Sequence, residues 1–155
     1  MTLEIEVVKP GYRWFDRILE ITRGEKATAV KDIHTAEQFF ADHFPRLPIL
    51  PGTLQLEGLI QLGGWLIDFS HDFQSAATPR SIKGVDFRRY VKPGARLMFE
   101  AEIRSLGPDE AVIKARATVE GKPVANAKEI NFSCAPLSPA QITRQKELFV
   151  SLRQS

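Results

Sequence analysis

The chain has 155 residues, 43% of them hydrophobic and 26% charged, with a formal net charge of +2. This composition is ordinary for a folded domain, and it excludes both an extended disordered chain and a strongly basic nucleic-acid-binding protein. The single cysteine, Cys134, excludes an internal disulfide and lacks metal-ligand spacing around it. We predict one domain over residues 1–155, in a cytoplasmic protein whose first ten residues lack the order of a signal peptide.

The first 52 residues predict a hairpin that leads into a loop rich in proline. Strands are predicted at residues 14–21 and 27–33, with a turn between them at residues 23–25. Thr35 and Gln38 have the spacing of a capping box, which predicts a short helix that starts near residue 36 and ends before His43. Proline at 45, 48 and 51 fixes φ and removes backbone donors, so residues 43–52 are predicted to form a rigid loop.

A long helix is predicted from Thr53 to about Asp72, a stretch that contains no proline. Its apolar residues fall on every side of a helical wheel, which is typical of a buried helix. They are Leu54, Leu56, Leu59, Ile60, Leu62, Trp65, Leu66, Ile67 and Phe69. The longest uncharged stretch, residues 58–67, is far shorter than the roughly 20 residues of a membrane span. The helix is therefore predicted to lie inside a domain, with no membrane span.

The second half of the chain predicts an antiparallel meander and a last helix, after a polar connection that ends near residue 95. Residues 96–103 alternate between apolar and polar, which is typical of a half-buried strand. Two further strands are predicted at residues 111–119 and 124–132. Each follows a predicted turn, at residues 107–109 and 120–122 respectively. Ser138, Pro139 and Gln141 predict the start of an amphipathic helix over about residues 139–153. One long helix beside a mostly antiparallel sheet indicates an α+β fold in which the sheet wraps the helix.

Two residues near the start of the long helix have the chemistry of an acid/base pair. An ionised carboxylate at Glu57, among leucines, would be costly without a partner. His43, at the start of the proline-rich loop, is of the residue type that exchanges protons near neutral pH. Gly52 lies at the helix N-terminus, where unsatisfied N–H groups can hold an oxyanion. Taken singly, a structural histidine and a glutamate that only hydrogen-bonds Gln61 are the simpler alternatives.

Taken together, these residues match a longer motif. The stretch HFPRLPILPGTLQLEGLIQ, residues 43–61, closely resembles the bacterial β-hydroxyacyl-acyl carrier protein dehydratase family of fatty acid synthesis. Residues 14–20, 85–89 and 91–94 also resemble segments of that family. The resemblance covers roughly residues 10–135 of the chain.

The resemblance implies a hot-dog fold and a (3R)-hydroxyacyl thioester substrate on acyl carrier protein, with no cofactor. It implies a homodimer or a trimer of dimers in which the histidine of one subunit faces the glutamate of the other. His43 would take the proton from C2, and Glu57 would protonate the departing C3 hydroxyl or order the water that does. The Gly52 N–H would hold the thioester oxygen, and Gln61 would steady the carboxylate of Glu57.

Two further groups of residues are predicted to bind the substrate and its carrier. Beside the substrate we predict Phe44, Arg46, Pro51, Thr53 and Phe87, and the charge and position of Arg46 alone predict a contact with the phosphate of the pantetheine arm. Six basic residues crowd a segment whose only acid is Asp86: Arg80, Lys83, Arg88, Arg89, Lys92 and Arg96. Because acyl carrier proteins are acidic, we predict that this segment docks the carrier through Arg88, Arg89, Lys92 and Arg96. A solvated face on an edge strand is the alternative.

Departures from the family pattern indicate a divergent member. Arg46 replaces the usual glycine after His-Phe-Pro, and Thr53 replaces the usual valine after Pro-Gly. Three other functions stay open: a dehydratase that also isomerises its product, a thioesterase on the same fold, and a non-catalytic binder of acyl chains or carrier proteins. The isomerising branch carries aspartate at the position of Glu57. The presence of both His43 and Glu57 argues against the other two.

Overall fold

The computed structural model describes residues 14–34, 50 and 52–154. Six strands and two helices occupy these residues, in the order β1 (Arg17–Thr22), β2 (Lys26–Asp32), α1 (Gly52–Ser70), β3 (Ser75–Phe87), β4 (Arg96–Leu106), β5 (Glu110–Val119), β6 (Lys122–Pro136) and α2 (Pro139–Gln154). The predicted hairpin, long helix, meander and last helix are confirmed. The helix predicted near residue 36 and most of the loop at 43–52 lie outside the described residues.

The strands form one antiparallel sheet in the order β1-β2-β4-β5-β6-β3. Strands β5 and β6 are joined by Glu120 and Gly121, which both have positive φ, as a tight turn between right-twisted strands requires. The alternation predicted in β4 is confirmed, because Leu97, Phe99 and Ala101 are buried. These side chains form part of the inner face of the sheet.

Helix α1 packs along the inner face of the sheet and contacts all six strands. Leu59, Leu62 and Leu66 are fully buried on the side that meets the sheet. Gly58 allows a close approach there, since the rings of Phe99 and Trp14 occupy the space that a Cβ would need. An antiparallel sheet wrapped around one long helix is the hot-dog fold, as the resemblance implied.

One face of α1 is less buried than the sequence pattern predicts. Leu54, Glu57, Gln61, Gly64 and Trp65 are each only half-buried. At 3.6 residues per turn they lie within roughly 100° of the helix circumference, on the side away from Leu59, Leu62 and Leu66. We call these five residues the Glu57 face. The prediction of a helix buried on every side is therefore wrong, because the sheet covers only the opposite part of the helix.

The prediction of a polar connection before residue 96 is also wrong, because β3 occupies 13 residues of that stretch. Strand β3 lies at an edge of the sheet and pairs with β6. No residue of β3 is fully buried, so its sequence lacks the alternation of a strand with one buried face. Pro79 and Gly84 interrupt it further.

Helix α2 packs beside β1 and the far end of α1. Its predicted capping box is confirmed: the Ser138 N–H donates to Gln141 Oε1 at 2.8 Å, and the Gln141 N–H donates to Ser138 Oγ at 3.3 Å. Leu152 is buried, and Arg153 Nη1 donates to the Leu19 carbonyl at 2.9 Å. Among the described residues, neither helix has the length and apolarity that crossing a membrane requires.

Candidate active site

Glu57 lies in the second turn of α1, on the half-buried Glu57 face. Gln61 follows one turn later and donates from Nε2 to Glu57 Oε1 at 3.0 Å. The four-residue spacing brings the two side chains together along the helix. The amide therefore orients the carboxylate, while the half-buried position leaves it within reach of a ligand.

The start of α1 is a position suited to negative charge. Gly52 is the first residue of the helix, and the first N–H groups of a helix have no partner within it. The helix dipole adds to their attraction for an anion. A Cβ on Gly52 would lie 3.2 Å from Cε1 of Phe87, so the ring lies directly beside the helix start. Thr53, the next residue, is exposed.

A basic segment runs past the same end of α1. The Leu50 N–H donates to the Val91 carbonyl at 2.7 Å, and both residues are buried. This contact holds the residues on either side of Val91 next to the start of α1. Arg89 and Lys92 are exposed, and Tyr90 between them is 76% exposed. The rim of the candidate site is therefore basic at this end.

Two of the four predicted docking residues form ion pairs within the chain. Arg96 binds Asp32 through two hydrogen bonds, Nε to Oδ1 at 2.8 Å and Nη2 to Oδ2 at 3.1 Å. Hydrogen bonding to Arg96 lowers the pKa of Asp32, and the same contact raises the pKa of Arg96. Arg88 Nε lies 3.3 Å from Asp86 Oδ1. Within the part of the chain that the structure describes, Arg89 and Lys92 form no such pair.

Comparison with known proteins gives the family. The model of the FabA-like domain matches residues 8–128 of the chain. The chain belongs to the FabA-like family. Helix α2 lies beyond the residues that this FabA-like model matches.

Several curated relatives of this FabA-like chain carry the name 3-hydroxyacyl-[acyl-carrier-protein] dehydratase FabZ. The protein of Listeria monocytogenes is 39% identical over 128 residues, which cover 79% of this chain and 85% of the relative. That of Bacillus pumilus is 38% identical over 122 residues, covering 78% and 84%. That of Thermomicrobium roseum is 36% identical over 130 residues, covering 83% and 87%.

Solved structures agree on the fold of the FabA-like chain. AziG of S. sahachiroi superposes with a TM-score of 0.64 at 16% identity, over 78% of this chain and 91% of AziG. The smu.793 protein of Streptococcus mutans, bound to acetyl CoA, superposes with a TM-score of 0.63 at 12% identity, over 86% and 97%. At these identities the likeness shows the hot-dog fold alone.

The structure describes one part of the predicted site of the FabA-like chain. It brings Glu57, Gln61, Gly52 and Phe87 to the first turns of α1 and the segment beside them. Four further predicted residues lie outside the described residues: His43, Phe44, Arg46 and Pro51. The predicted acid and the predicted oxyanion position thus share one end of the helix.

A second carboxylate on α1 was missed as a titrating group. Asp68 is 6% exposed, and its Oδ1 accepts a hydrogen bond from the Ala77 N–H at 2.8 Å. Burial raises the pKa of Asp68 to about 7. The signal in the sequence was an acid within a helix of apolar character. Asp68 follows Glu57 by 11 residues, about 16 Å along the axis, so it lies far from the predicted acid.

Proposed function

We propose that the chain removes water from a (3R)-3-hydroxyacyl thioester on acyl carrier protein and forms the trans-2-enoyl thioester. The observation that carries this proposal is the orientation of Glu57 by Gln61 on the half-buried face of α1. Relatives at 36–39% identity that bear the dehydratase name support it. We also propose a cytoplasmic location, because a single cysteine suits a reducing compartment.

In the proposed mechanism, His43 takes the proton from C2 and the C2–H electrons form the new double bond to C3. The C3–O bond breaks, and Glu57 gives its proton to the departing hydroxyl, which leaves as water. Negative charge that develops on the thioester oxygen is held by the N–H of Gly52 at the helix start. The elimination contains no redox step, so it requires no cofactor.

The reverse reaction tests this assignment directly. Hydration of a four-carbon crotonyl thioester removes conjugated absorbance, and we expect Glu57→Gln and His43→Ala each to slow it by roughly 10²–10⁴-fold. Glu57→Gln is the sharper variant, since it keeps the shape and removes the titrating group. Glu129→Gln, at an exposed position in β6, is the matched control and should keep the wild-type rate.

Three outcomes would contradict the proposal. A near-normal rate from folded Glu57→Gln would exclude Glu57 as the acid. Release of free thiol from the substrate, without hydration, would indicate a thioesterase on the same fold. Tight binding of the thioester with neither reaction would indicate a non-catalytic binder.

We further propose that a second copy of the chain pairs along the outer edge of β3. This edge strand is 13 residues long. No strand of the described residues pairs with its outer edge, and such an edge offers backbone donors and acceptors to another strand. Val85 and Phe87, near its end, are 36% and 49% exposed. Phe87 also lies against Gly52, so a chain added here would border the candidate site. Glu57 would then face the second subunit.

For the carrier, we propose docking on Arg89, Lys92 and the exposed ring of Tyr90. Arg89 and Lys92 lie beside the start of α1, and neither is paired within the described part of the chain. Arg88 and Arg96 contribute less, because Asp86 and Asp32 already neutralise them. An acidic carrier would be attracted to this rim, and the range of the attraction shortens as the salt concentration rises.

Charge reversal separates docking from chemistry. Arg89→Glu with Lys92→Glu should lower kcat/KM for carrier-bound substrate by about tenfold at low salt, and by less at high salt. A short pantetheine-like thioester should keep its wild-type rate with this variant. Arg144→Glu with Lys146→Glu, exposed on α2, is the charge-matched control. Equal losses on both substrates would contradict the docking assignment.

A further inference from the structure

The Glu57 face continues past the predicted acid towards the C-terminal end of α1. Glu57, Gln61 and Trp65 follow one another at four-residue spacing, which places them on one ridge of the helix. Gly64 lies beside this ridge and is half-buried. Among the described residues, a Cβ there would have one neighbour within 4 Å, Cε1 of Phe132 at 3.9 Å. The missing side chain leaves room next to Gln61.

The two ends of this face differ in chemistry, which gives the substrate a direction. The exposed cations Arg89 and Lys92 lie beside the start of α1, so the anionic carrier and its pantetheine arm belong at that end. The thioester then lies between these two cations and Glu57. The acyl chain must therefore extend from Glu57 towards the C-terminal end of α1. Beyond Glu57, the space beside Gly64 and the half-buried ring of Trp65 provide a path for it.

Aromatic rings close the far end of this path. The ring centroid of Phe149, from α2, lies 6.0 Å from that of Trp65, 5.3 Å from Phe69 and 5.2 Å from Phe73. The buried Leu152 and the bond from Arg153 to the Leu19 carbonyl hold α2 in this position. Because α2 lies beyond the residues that match the FabA-like domain, this closure comes from a part of the chain outside that match.

We propose that the contact between Trp65 and Phe149 ends the acyl-binding groove and determines the longest chain that the enzyme accepts. Trp65 follows Glu57 by eight residues, which is about 12 Å along the helix. An extended chain advances about 1.2 Å per bond, so about ten bonds fit between C3, at Glu57, and the ring of Trp65. This inference rests on the proposed dehydratase function. Counted from C3, these ten bonds predict a limit of about thirteen carbons.

The experiment compares kcat/KM for 3-hydroxyacyl-carrier substrates of four, eight, twelve and sixteen carbons. For the wild type we expect a fall of about tenfold or more from twelve to sixteen carbons. Phe149→Ala and Trp65→Leu should each raise the sixteen- to four-carbon ratio by about tenfold, because they open the end of the groove. Val150→Ala, exposed on the same helix, should leave the ratio at its wild-type value.

A variant in the opposite direction keeps the proposal testable if Phe149→Ala does not fold. Gly64→Leu fills free space beside the ridge, and it should lower the twelve- to four-carbon ratio by about tenfold. Unchanged ratios in folded Phe149→Ala, or in folded Gly64→Leu, would overturn the groove assignment. A wild type that fails to turn over even the four-carbon substrate would overturn the dehydratase function itself.

Discussion

Asp68 links the stability of the protein to pH. Its carboxylate is buried near the end of α1 and accepts a hydrogen bond from the Ala77 N–H. Burial raises its pKa to about 7 from an ordinary value of 3.8. As pH rises from about 4 to 7, the unfolded chain releases this proton before the folded chain does. The free energy of unfolding therefore falls over that range through Asp68, and it is constant above it.

We expect Asp68→Asn to remove this dependence, because the amide keeps an oxygen for the Ala77 N–H and does not ionise. Relative to the wild type, the variant should gain stability steadily between pH 4 and 7, by up to about 4 kcal/mol in total. Urea unfolding at several pH values measures the difference, and all other titrating groups cancel in it. A difference that does not change with pH would contradict the role of Asp68.

Residues of the site differ in how well the sequence predicts them. Glu57 and Gln61 are one turn apart on a single helix, so their contact follows from spacing alone. The pair between Asp32 and Arg96 joins residues 64 positions apart, and only the pairing of β2 with β4 brings them together. The sequence alone does not show that Asp32 pairs with Arg96, so a docking role for Arg96 was predicted from local charge.

The packing of α1 against the sheet gives a prediction for two glycines of the same helix. A Cβ at Gly58 would lie 2.5 Å from Phe99 Cε1 and 2.6 Å from Trp14 Nε1. Both rings are buried and have little room to move. Gly58→Ala should therefore lower the free energy of unfolding by about 1–3 kcal/mol, although alanine favours helix more than glycine does.

Gly64→Ala is the matched control, since its Cβ would have its nearest neighbour at 3.9 Å. There the helix propensity of alanine acts alone, and we expect a gain of about 0.5–1 kcal/mol. Denaturant midpoints of the two variants should therefore move in opposite directions. A stabilised Gly58→Ala protein would mean that α1 does not pack as closely on β4 as described.

Elements with one buried face were predicted well, and the edge element was not. Strand β4 and helix α2 alternate between apolar and polar with the period of their structure, because the core selects every inward position. Strand β3 has no such selection along its length, since its side chains are exposed or half-buried. The half-exposed face of α1 was also missed, because Leu54 and Trp65 on it are as apolar as the residues on the buried side.

At the scale of the assembly, a shared site predicts that inactive subunits complement one another. Mixing Glu57→Gln with His43→Ala chains gives some dimers with one intact pair, and random exchange should restore about a quarter of wild-type activity. The crotonyl hydration rate after subunit exchange is the measurement. Mixing Glu57→Gln with Glu57→Ala should restore nothing, because every site then lacks the acid.

Subunit exchange needs its own proof in this experiment. Mass spectrometry of isotope-labelled and unlabelled chains shows whether mixed dimers have formed. Absence of recovered activity in confirmed mixed dimers would place the complete site within one chain and would contradict pairing across a subunit boundary.

The strand order affects how the newly made chain reaches this structure. Strand β2 pairs with β4, but α1 and β3 lie between them in sequence. Closing so long a loop is slow, whereas the hairpin of β1 and β2 needs only local contacts. During synthesis the hairpin and α1 leave the ribosome well before residues 96–136, which supply three of the strands that cover the helix. Until those residues emerge, the leucines of α1 lack the strands that cover them, so we expect the growing chain to be most prone to aggregation at that stage.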